Sequence, residues 1–336
     1  MKGLCNMELY DITIIGGGPV GMFTAFYAEL RQAKTKIIES LELLGGQPAH
    51  LYPEKLIYDI PAFPAVTGEQ LTHQLEDQLA RFETTICLGE EALNLSQQQT
   101  PNGESYFEIT TNKATHYSRT VILAAGNGAF RPRKLDLPNA TSFEEANLHY
   151  FVKNVDHFAG KKVAICGGGD SAVDWALTLE PIAEKVYLIH RRPQFRALEH
   201  SVQLLHESSV EVLTPFVPHE LVGNERIEQL IINESRTENY QTLDIDEFIV
   251  SYGFTSSIGA IKHWGFETQR NTVLTNHQFA TSIPGIFAVG DIAQYEGKVQ
   301  IIATGFGEAP LAVNQALQFI NPERKPQHIH STSLFH

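Results

Sequence analysis

The 336-residue sequence has few basic residues, no long apolar run and little cysteine. Lys and Arg total 25 against 39 Asp and Glu, which gives a formal charge of −14. A general nucleic-acid-binding protein needs a broad basic face, so we expect no nucleic-acid partner. No apolar run reaches the roughly 18 residues that span a bilayer, so we expect no membrane segment.

The first residues, MKGLCNMELYD, contain a single lysine and no apolar core. We therefore expect no secretory signal and a cytoplasmic protein. Cys5, Cys87 and Cys166 are odd in number and widely spaced, which indicates reduced thiols rather than a disulfide framework or a zinc site. No Cys-x-x-Cys occurs in the chain. The length is sufficient for two domains.

A strand, a glycine turn and a helix are predicted near the start of the chain, in DITIIGGGPVG, which we call the first cradle (residues 11–21). Its glycines are Gly16, Gly18 and Gly21, and the helix is predicted to run to about Arg31. Glycines at this spacing permit a tight turn and let the backbone approach a pyrophosphate, which the free N–H groups at the helix start then bind.

A second strand, KTKIIES, follows the first cradle and contains Glu39 near its end. A carboxylate there accepts hydrogen bonds from a ribose 2′-hydroxyl and repels a 2′-phosphate. The alternative is a glycine-rich turn with no ligand, but the order of strand, turn, helix, strand and acidic residue favours a dinucleotide site. The pattern favours FAD or NAD over NADP.

The same pattern recurs in KVAICGGGDSA, which we call the second cradle (residues 162–172). Gly167, Gly169 and Ala172 occupy the positions of the three glycines of the first cradle. The next strand, EKVYLIH, ends at His190, at the position equivalent to Glu39.

An arginine cluster follows His190 in RRPQFRA, at Arg191, Arg192 and Arg196. Guanidinium groups form charge-assisted, bidentate bonds to phosphate oxygens, so the cluster predicts a site for the 2′-phosphate of NADPH. The alternative is a solvated basic turn. If the second cradle binds NADPH, the first holds the other redox partner, most simply FAD.

Later segments add further elements to this picture. A helix is predicted near residues 67–82, antiparallel strands over 210–250, and a final helix over 307–320. The strand GIFAVGD ends at Asp291, where a carboxylate could face the ribityl hydroxyls of a flavin. A Gly-Asp turn without that role is the alternative.

Ten motifs together resemble the thioredoxin-reductase-like type (type 2) of ferredoxin–NADP reductase. They are IIGGGPVG, GGQ with LYPEK, AGNGAF, HYF, GGGDSAVDWAL, HRR with FRA, AVGD, EGK, GFGEAP and the tail HSTSLF. The resemblance covers nearly the whole chain. It implies an α/β fold of two dinucleotide-binding, Rossmann-like, three-layer domains, with the NADPH domain (131–250) inserted into an FAD domain (1–130 and 251–336), and a homodimer.

The resemblance also implies residue roles. Tyr52 would stack on one face of the isoalloxazine ring, and His330, on a carboxyl-terminal tail, would cover the other from the partner subunit's side. Both would act by positioning the ring. The implied FAD contacts are Glu39, Gln47, Tyr52, Ala92 through its backbone, Phe130, Asp291 and Thr332. Without the resemblance, the tail would be interpreted as a frayed terminus. We expect no metal at His328 and His330.

The implied activity is hydride transfer from NADPH to FAD, followed by single-electron transfer to ferredoxin or flavodoxin. Such partners are usually acidic, so docking on this acidic chain requires a local positive patch. The candidates are Arg131, Arg133 and Lys134, and the pair Arg324 and Lys325; both could equally be solvated loops.

Four other functions are alternatives to this one. They are an NADPH diaphorase that reduces quinones, iron chelates or free flavins, a disulfide reductase, a non-enzymatic flavoprotein and a flavin monooxygenase. Thioredoxin reductases place Cys-x-x-Cys just before the second cradle, where this chain has NLHYFVKNVDHFAGKK. Related disulfide reductases place one cysteine after the first Gly-x-Gly, where this chain has Val20. Cys166 ends a predicted buried strand, so we expect a packing role.

Overall fold

The computed structural model describes residues 8–144, 146–152, 154–235 and 237–323, with backbone alone at 129–131 and 254–256. The chain forms two compact units. The outer unit comprises residues up to 129 and from 256 onward, and the inserted unit comprises 130–255. Residues 324–336, which include the predicted sites His330 and Thr332, lie outside the described residues.

The outer unit begins with eight strands and three helices. In chain order they are β1 (Leu9–Ile15), α1 (Pro19–Leu30), β2 (Thr35–Ile38), α2 (Gly46–Leu51), β3 (Leu56–Ile57), β4 (Val66–Thr67), α3 (Gly68–Leu79), β5 (Thr85–Cys87), β6 (Ala92–Gln99), β7 (Ser105–Thr111) and β8 (Thr115–Leu123).

The remaining elements belong to the inserted unit and to the return into the outer unit. In chain order they are β9 (Ala129–Pro132), β10 (Leu148–His149), β11 (Lys162–Cys166), α4 (Asp170–Leu179), β12 (Lys185–Ile189), α5 (Glu199–Glu207), β13 (Glu211–Leu213), β14 (Phe216–Gly223), β15 (Ile227–Glu234), β16 (Tyr240–Asp244), β17 (Glu247–Val250), β18 (Phe254–Ser257), β19 (Thr268–Gln269), β20 (Thr272–Leu274), β21 (Ile286–Ala288), β22 (Ala293–Gln294) and α6 (Ile302–Ile320). Short 3-10 helices cover Ala140–Phe143, Asp156–Phe158, Gly259–His263 and Gly290–Ile292.

The central sheet of the outer unit has the order β5–β2–β1–β8–β7–β6, with β21 also paired to β8. Strands β5, β2, β1, β8 and β21 are parallel, and β7 and β6 add antiparallel strands. Ile12, Ile14 and Ile122 face a core shared with α1, α3 and α6. Ile15 and Leu123 face a second core, so the strands are apolar on both sides, as parallel strands between two layers must be.

The sheet of the inserted unit is parallel throughout, in the order β10–β17–β11–β12–β13. Three antiparallel strands, β14, β15 and β16, form a separate sheet that packs into the same core through Leu221, Leu230 and Leu243. The strand–helix–strand order over β11, α4 and β12 is the dinucleotide-binding topology predicted for the second cradle.

Helix α6 is longer than the sequence predicts. The sequence predicts a helix over 307–320, whereas α6 begins at Ile302, includes Gly305 and continues through Pro310, although glycine and proline lower helix propensity. Its buried face of small residues, Gly305, Ala309 and Ala312 among them, packs against the core of the outer unit. Burial in the tertiary structure therefore outweighs local propensity at this helix.

Across the four described ranges, no helix combines the length and the apolarity needed to cross a lipid bilayer.

A buried carboxylate holds the segment that precedes the second cradle. Glu247, at the start of β17, has 2% of its side chain exposed and accepts hydrogen bonds from His149 Nε2 at 2.6 Å and Lys161 Nζ at 2.7 Å. His157 Nε2 lies 3.1 Å from the same carboxylate. Although burial alone would raise it, His149 and Lys161 lower the pKa of Glu247 to about 2. Glu247 is therefore ionised wherever the protein is folded near neutral pH.

We expect Glu247→Gln to lower the free energy of unfolding of the inserted unit by about 2 to 4 kcal/mol at pH 7, because Lys161 and the histidines lose a buried partner. A carboxyl group whose folded pKa is depressed stabilises above its unfolded pKa and loses this effect as pH falls. The difference in the free energy of unfolding between the natural protein and the Glu247→Gln variant should therefore narrow as the pH falls from about 4.5 to about 2.

Urea unfolding followed by tryptophan fluorescence measures this effect. Trp175 lies in the inserted unit and Trp264 in the outer unit, so a Trp264→Phe background leaves Trp175 as the reporter. Glu211→Gln is the matched control, since Glu211 pairs with Lys185 on the surface, and its effect should stay below about 1 kcal/mol. Equal effects of the two variants would contradict the role given to Glu247.

Candidate nucleotide-binding sites

The first cradle contains two positions where only glycine fits. Gly16 has φ +110°, and a Cβ there would lie 2.5 Å from the Ala124 carbonyl oxygen. A Cβ on Gly21 would lie 1.9 Å from the Gly16 carbonyl oxygen. Strand β1 therefore enters α1 with its backbone in direct contact with the turn after β8, which is the tight approach that the spacing predicts.

The start of α1 can receive an anion. Gly18 precedes the helix, no side chain caps the first turn, and Pro19 has no N–H to satisfy. The nearest atom to a Cβ built on Gly18 is the Gly46 Cα, at 3.8 Å. The unpaired N–H groups of the first turn therefore fit the pyrophosphate of a dinucleotide.

Glu39 lies directly after β2, where the sequence predicts an acidic residue. Its side chain is buried, and Oε2 accepts the Gly17 N–H at 2.6 Å while Oε1 accepts the Leu41 N–H at 2.8 Å. The Ser40 hydroxyl also donates to Oε1, at 3.1 Å. These bonds fix the carboxylate beside the glycine turn and leave acceptor capacity for a ribose hydroxyl.

Gln47 lies on α2, which the Gly45–Gly46 turn directs toward the first cradle. Gly46 has φ +56°, and a Cβ there would lie 2.9 Å from the Gly18 Cα. The Gln47 Nε2 lies 3.4 Å from a Cβ built on Gly126, in the turn after β8. The first cradle, α2 and the turn after β8 therefore meet at one place.

Tyr52 and Asp291 both have raised pKa values. Burial, followed by the charges of Asp291 and Asp59, raises the pKa of Tyr52 to about 12, so its hydroxyl stays protonated near neutral pH. Burial also raises the pKa of Asp291, with Lys298 opposing and Glu308 adding to the shift. The charge of Asp291 therefore acts on Tyr52, the residue that the resemblance places on the flavin ring.

Two residues of this site were given no role by the sequence analysis. Glu308, on α6, accepts the Gly290 N–H at 2.7 Å and the Tyr295 hydroxyl at 2.6 Å, and it pairs with the Lys298 ammonium group. The side chains of Lys298 and Glu308 are 1% and 3% exposed. Lys298 lies in the motif EGK and Glu308 in the motif GFGEAP, and the available signal for Glu308 was a charged residue within an apolar helix segment.

Of the other residues predicted for the first site, only Ala92 has a described side chain. Ala92 begins β6 and is buried; two residues before it, the Glu90 N–H donates to the Glu39 carbonyl oxygen at 2.9 Å. Ala92 therefore lies in the chain segment adjoining Glu39. Phe130 lies in β9, where only the backbone is described. Its predicted contact, like those of His330 and Thr332, stays a prediction.

The backbone of the second cradle is similar to that of the first, but its third position accommodates alanine instead of glycine. The Gly167 N–H donates to the Ile189 carbonyl at 3.0 Å, as the Gly16 N–H does to Ile38 at 2.9 Å. A Cβ on Gly167 would lie 2.5 Å from the Ser251 carbonyl oxygen, so glycine is required there. Ala172 is fully buried at the third position and is accommodated.

The chain after β12 folds back over the second cradle. The Arg196 N–H donates to the Gly168 carbonyl at 2.7 Å, and the Leu198 N–H donates to Asp170 Oδ1 at 2.9 Å. The ring of His190 stacks on Phe195 with centroids 5.4 Å apart. A Cβ on Gly168 would lie 2.1 Å from His190 Cε1, so the imidazole lies directly against the glycine turn.

The charge around His190 is positive. Burial first, and then the three arginines, lower the pKa of His190, so the imidazole is neutral near pH 7. Arg191, Arg192 and Arg196 are exposed and form no ion pair with the carboxylates that the structure describes. A Cβ built on Gly169, which precedes α4, would lie 3.9 Å from its nearest neighbour, the Arg196 carbonyl oxygen. The site thus offers free guanidinium groups beside a helix start, which fits a phosphorylated ribose.

Two clusters of potential metal ligands occur among the described residues, and each also contains a lysine. Cys87, Glu90 and His116 lie together, with Lys36 Nζ 2.9 Å from His116 Nδ1. In the cluster around Glu247, the Lys161 ammonium group is 2.7 Å from the carboxylate. An ammonium group in contact with the ligands opposes a cation, so we interpret both clusters as hydrogen-bonding networks.

Cys166 is buried at the end of β11. Its Sγ lies 3.2 Å from the Tyr252 hydroxyl, and burial raises the pKa of the thiol to about 12. Cys87 belongs to the other unit, and burial raises the pKa of its thiol too. Neither thiol is a reactive thiolate near neutral pH.

Comparison with known proteins gives consistent results. Residues 10–316 match the family described as pyridine nucleotide-disulphide oxidoreductase. The chain is 56% identical over 330 residues to the protein named ferredoxin–NADP reductase 2 of Bacillus licheniformis, and 56% identical over 330 residues to the one of the same name in Bacillus subtilis. In both cases the match covers 98% of this chain and 98% of the relative.

The fold is similar to that of solved thioredoxin reductases. The crystal structure of Lactococcus lactis thioredoxin reductase in its FR conformation has a TM-score of 0.77 at 25% identity and matches 93% of this chain and 99% of that one. The thioredoxin reductase of T. acidophilum has a TM-score of 0.77 at 21% identity, over 94% and 99%. The predicted fold class, α/β with two Rossmann-like dinucleotide-binding domains, is confirmed.

Proposed function

Because this chain belongs to the pyridine nucleotide-disulphide oxidoreductase family, we propose that it is a ferredoxin–NADP reductase, a flavoprotein that moves electrons between NADPH and ferredoxin. The chain is an oxidoreductase, and its cofactors are FAD and NADPH. The names of the relatives favour ferredoxin over the diaphorase alternative, and flavodoxin is the second candidate partner.

The contrast in charge between the two cradles is the observation that best supports this proposal. A hydrogen-bonded carboxylate, Glu39, follows the second strand of the first cradle. Neutral His190 and the exposed arginines Arg191 and Arg192 follow the second strand of the second. Ribose hydroxyls fit the carboxylate and a 2′-phosphate fits the arginines. The outer unit therefore binds FAD and the inserted unit binds NADPH.

The protein's own residues hold and orient the flavin. When bound, FAD links a donor of hydride to an acceptor of single electrons. Gly16, Gly18 and Gly21 provide the backbone approach for its pyrophosphate, and Glu39 accepts hydrogen bonds from its ribose. Tyr52 has a protonated hydroxyl and supplies an aromatic face for the ring.

Six more residues complete the first site. Gln47, the Ala92 backbone, Phe130 and Asp291 hold other parts of the FAD. His330 and Thr332 act from the carboxyl-terminal tail. The protein is a homodimer, in which this tail covers the partner's flavin, and it is cytoplasmic.

The positions of the cysteines argue against the function of a disulfide reductase. The stretch before the second cradle contains none, and its described part is held by the hydrogen bonds of Glu247. Cys166 is buried with a raised pKa, which does not suit thiol exchange. Electrons therefore leave the flavin directly, without a dithiol in this chain.

The docking surface for ferredoxin is basic in this proposal. Arg133 is exposed, whereas the exposed Lys134 already forms a 2.6 Å ion pair with Glu144. Arg131 has no described side chain, and Arg324 and Lys325 lie outside the described residues. Arg133 is thus the described residue best suited to meet an acidic partner.

Replacing Arg191 and Arg192 together with alanine should raise the KM for NADPH by about 10- to 100-fold, because the 2′-phosphate loses its charge-assisted bonds. The KM for NADH, which lacks that phosphate, should change by less than about threefold. Steady-state reduction of a small dye by either coenzyme measures both constants.

A control separates loss of these bonds from loss of general positive charge. Lys185→Ala removes an exposed cation of the same unit and should leave both constants within about twofold. If the double arginine variant changes the NADPH and NADH constants equally, the phosphate assignment is wrong.

An anaerobic comparison of acceptors tests the function itself. The FAD-loaded protein receives NADPH, and electron delivery to ferredoxin, read by cytochrome c, is compared with delivery to thioredoxin, read by a disulfide dye. We expect ferredoxin-dependent reduction and no thioredoxin activity. Thioredoxin activity would contradict the argument from the cysteines, and reduction of small dyes alone would favour the diaphorase.

A further inference from the structure

We propose that Glu308 and Lys298 are positioning residues that fix the Gly290–Asp291 turn and so set the affinity for FAD. The inference rests on the proposed function, which places FAD in the first cradle. Neither residue needs to touch the nucleotide. They act through Asp291, because Glu308 accepts the backbone N–H of Gly290, the residue before it, and Lys298 contacts Glu308.

The pair has no evident reason to exist for stability alone. Lys298 and Glu308 are 1% and 3% exposed, and removing two charges from water costs several kcal/mol per ion before their attraction offsets it. Apolar residues of similar volume often serve equally well at such positions. Tyr295, which donates to Glu308, also packs edge-on against Phe279, with ring centroids 5.5 Å apart. A buried pair retained in that setting suggests a task that apolar residues do not perform.

That task is visible at the end of β21. The Val289 N–H still donates to the Leu123 carbonyl, at 2.9 Å, and continues the sheet. At Gly290 the chain turns, with φ +72°, and its N–H no longer has a strand partner. Glu308 Oε2 accepts this N–H at 2.7 Å. The carboxylate therefore fixes the direction in which the next residue, Asp291, leaves the sheet.

The turn is tied to the predicted phosphate site by close packing. A Cβ on Gly305, in the first turn of α6, would lie 2.4 Å from Val20 Cγ2 and 3.3 Å from the Gly290 Cα. Val20 lies in the first turn of α1, where the pyrophosphate is proposed to bind. The starts of α1 and α6 and the Gly290 turn thus form one packed group, in which a movement of the turn changes the distance from Asp291 to the phosphate site.

The second and third donors hold Glu308 itself. The Tyr295 hydroxyl donates to Oε1 at 2.6 Å, and the Lys298 ammonium group contacts the same oxygen. Glu308→Gln retains the shape of the side chain, but it leaves the buried Lys298 without a counter-charge and disturbs the hydrogen bond to Gly290. This variant therefore tests the position of the turn with little change in volume.

The experiment is a double-mutant cycle on FAD binding. Apoprotein is titrated with FAD, and quenching of flavin fluorescence gives the Kd. Glu308→Gln is measured in the natural sequence and in an Asp291→Asn background. We expect it to raise the Kd by about tenfold or more in the natural sequence and by less than about threefold in the Asp291→Asn background, because its effect passes through Asp291. Glu8→Gln, which breaks the exposed pair with Lys34 in the same unit, should change neither value by more than about twofold.

A merely structural role predicts a different result. Glu308→Gln would then raise the Kd by the same factor in both backgrounds, or leave it unchanged while lowering the urea midpoint. Either result overturns the proposal. If Asp291→Asn has no effect on the Kd while Glu39→Ala raises it, this inference fails and the first cradle remains the FAD site. If the unaltered protein binds no FAD, the proposed function fails as well.

A gentler variant covers the case in which Glu308→Gln does not fold, as judged by circular dichroism and Trp264 fluorescence. Tyr295→Phe removes one donor to Glu308 and retains both charges. It should raise the Kd by about two- to fourfold in the natural sequence and have no further effect with Asp291→Asn. Equal effects in the two backgrounds would again overturn the proposal.

Discussion

The close approach of backbone to backbone where a strand enters a helix is the constraint on which both sites depend. At Gly16 and Gly21 a single added Cβ would lie within 2.5 Å of a carbonyl oxygen, and the same holds at Gly167. Because these positions are glycines, no side chain covers the N–H groups at the helix start. These contacts also fix where the end of the next strand lies, since the first glycine of each cradle donates to the last residue of that strand.

The two cradles differ in the side chains that follow the second strand of each one. In the outer unit the end of β2 leads to a carboxylate held by backbone N–H groups, and in the inserted unit the end of β12 leads to a neutral imidazole and free guanidinium groups. The two backbones are similar, so in the proposed function the distinction between coenzymes depends on a few side chains.

Much of this arrangement could be predicted from the sequence, because it is local. The glycine spacing, the apolar strands and the residue eighteen positions after each turn all lie within short segments, and Glu39 and His190 stand where the spacing places them. The predicted start of α6 was wrong by five residues, because packing of Gly305 against Val20 outweighs the low helix propensity of glycine. The Lys298–Glu308 pair was not found, since its partners Gly290 and Tyr295 are brought together by the fold of the outer unit. No periodic pattern predicts a hydrogen bond from a strand end to a residue inside a helix.

The central claim is that the two cradles bind different nucleotides, and equilibrium binding to a Glu39→Ala variant tests it most directly. FAD is titrated into the apoprotein, and NADP⁺ is titrated into the FAD-loaded protein. The account predicts that the substitution raises the Kd for FAD by about tenfold or more and leaves the Kd for NADP⁺ within about twofold. Equal weakening of both nucleotides, or displacement of FAD by NADP⁺, would mean that they share one site and would contradict the account.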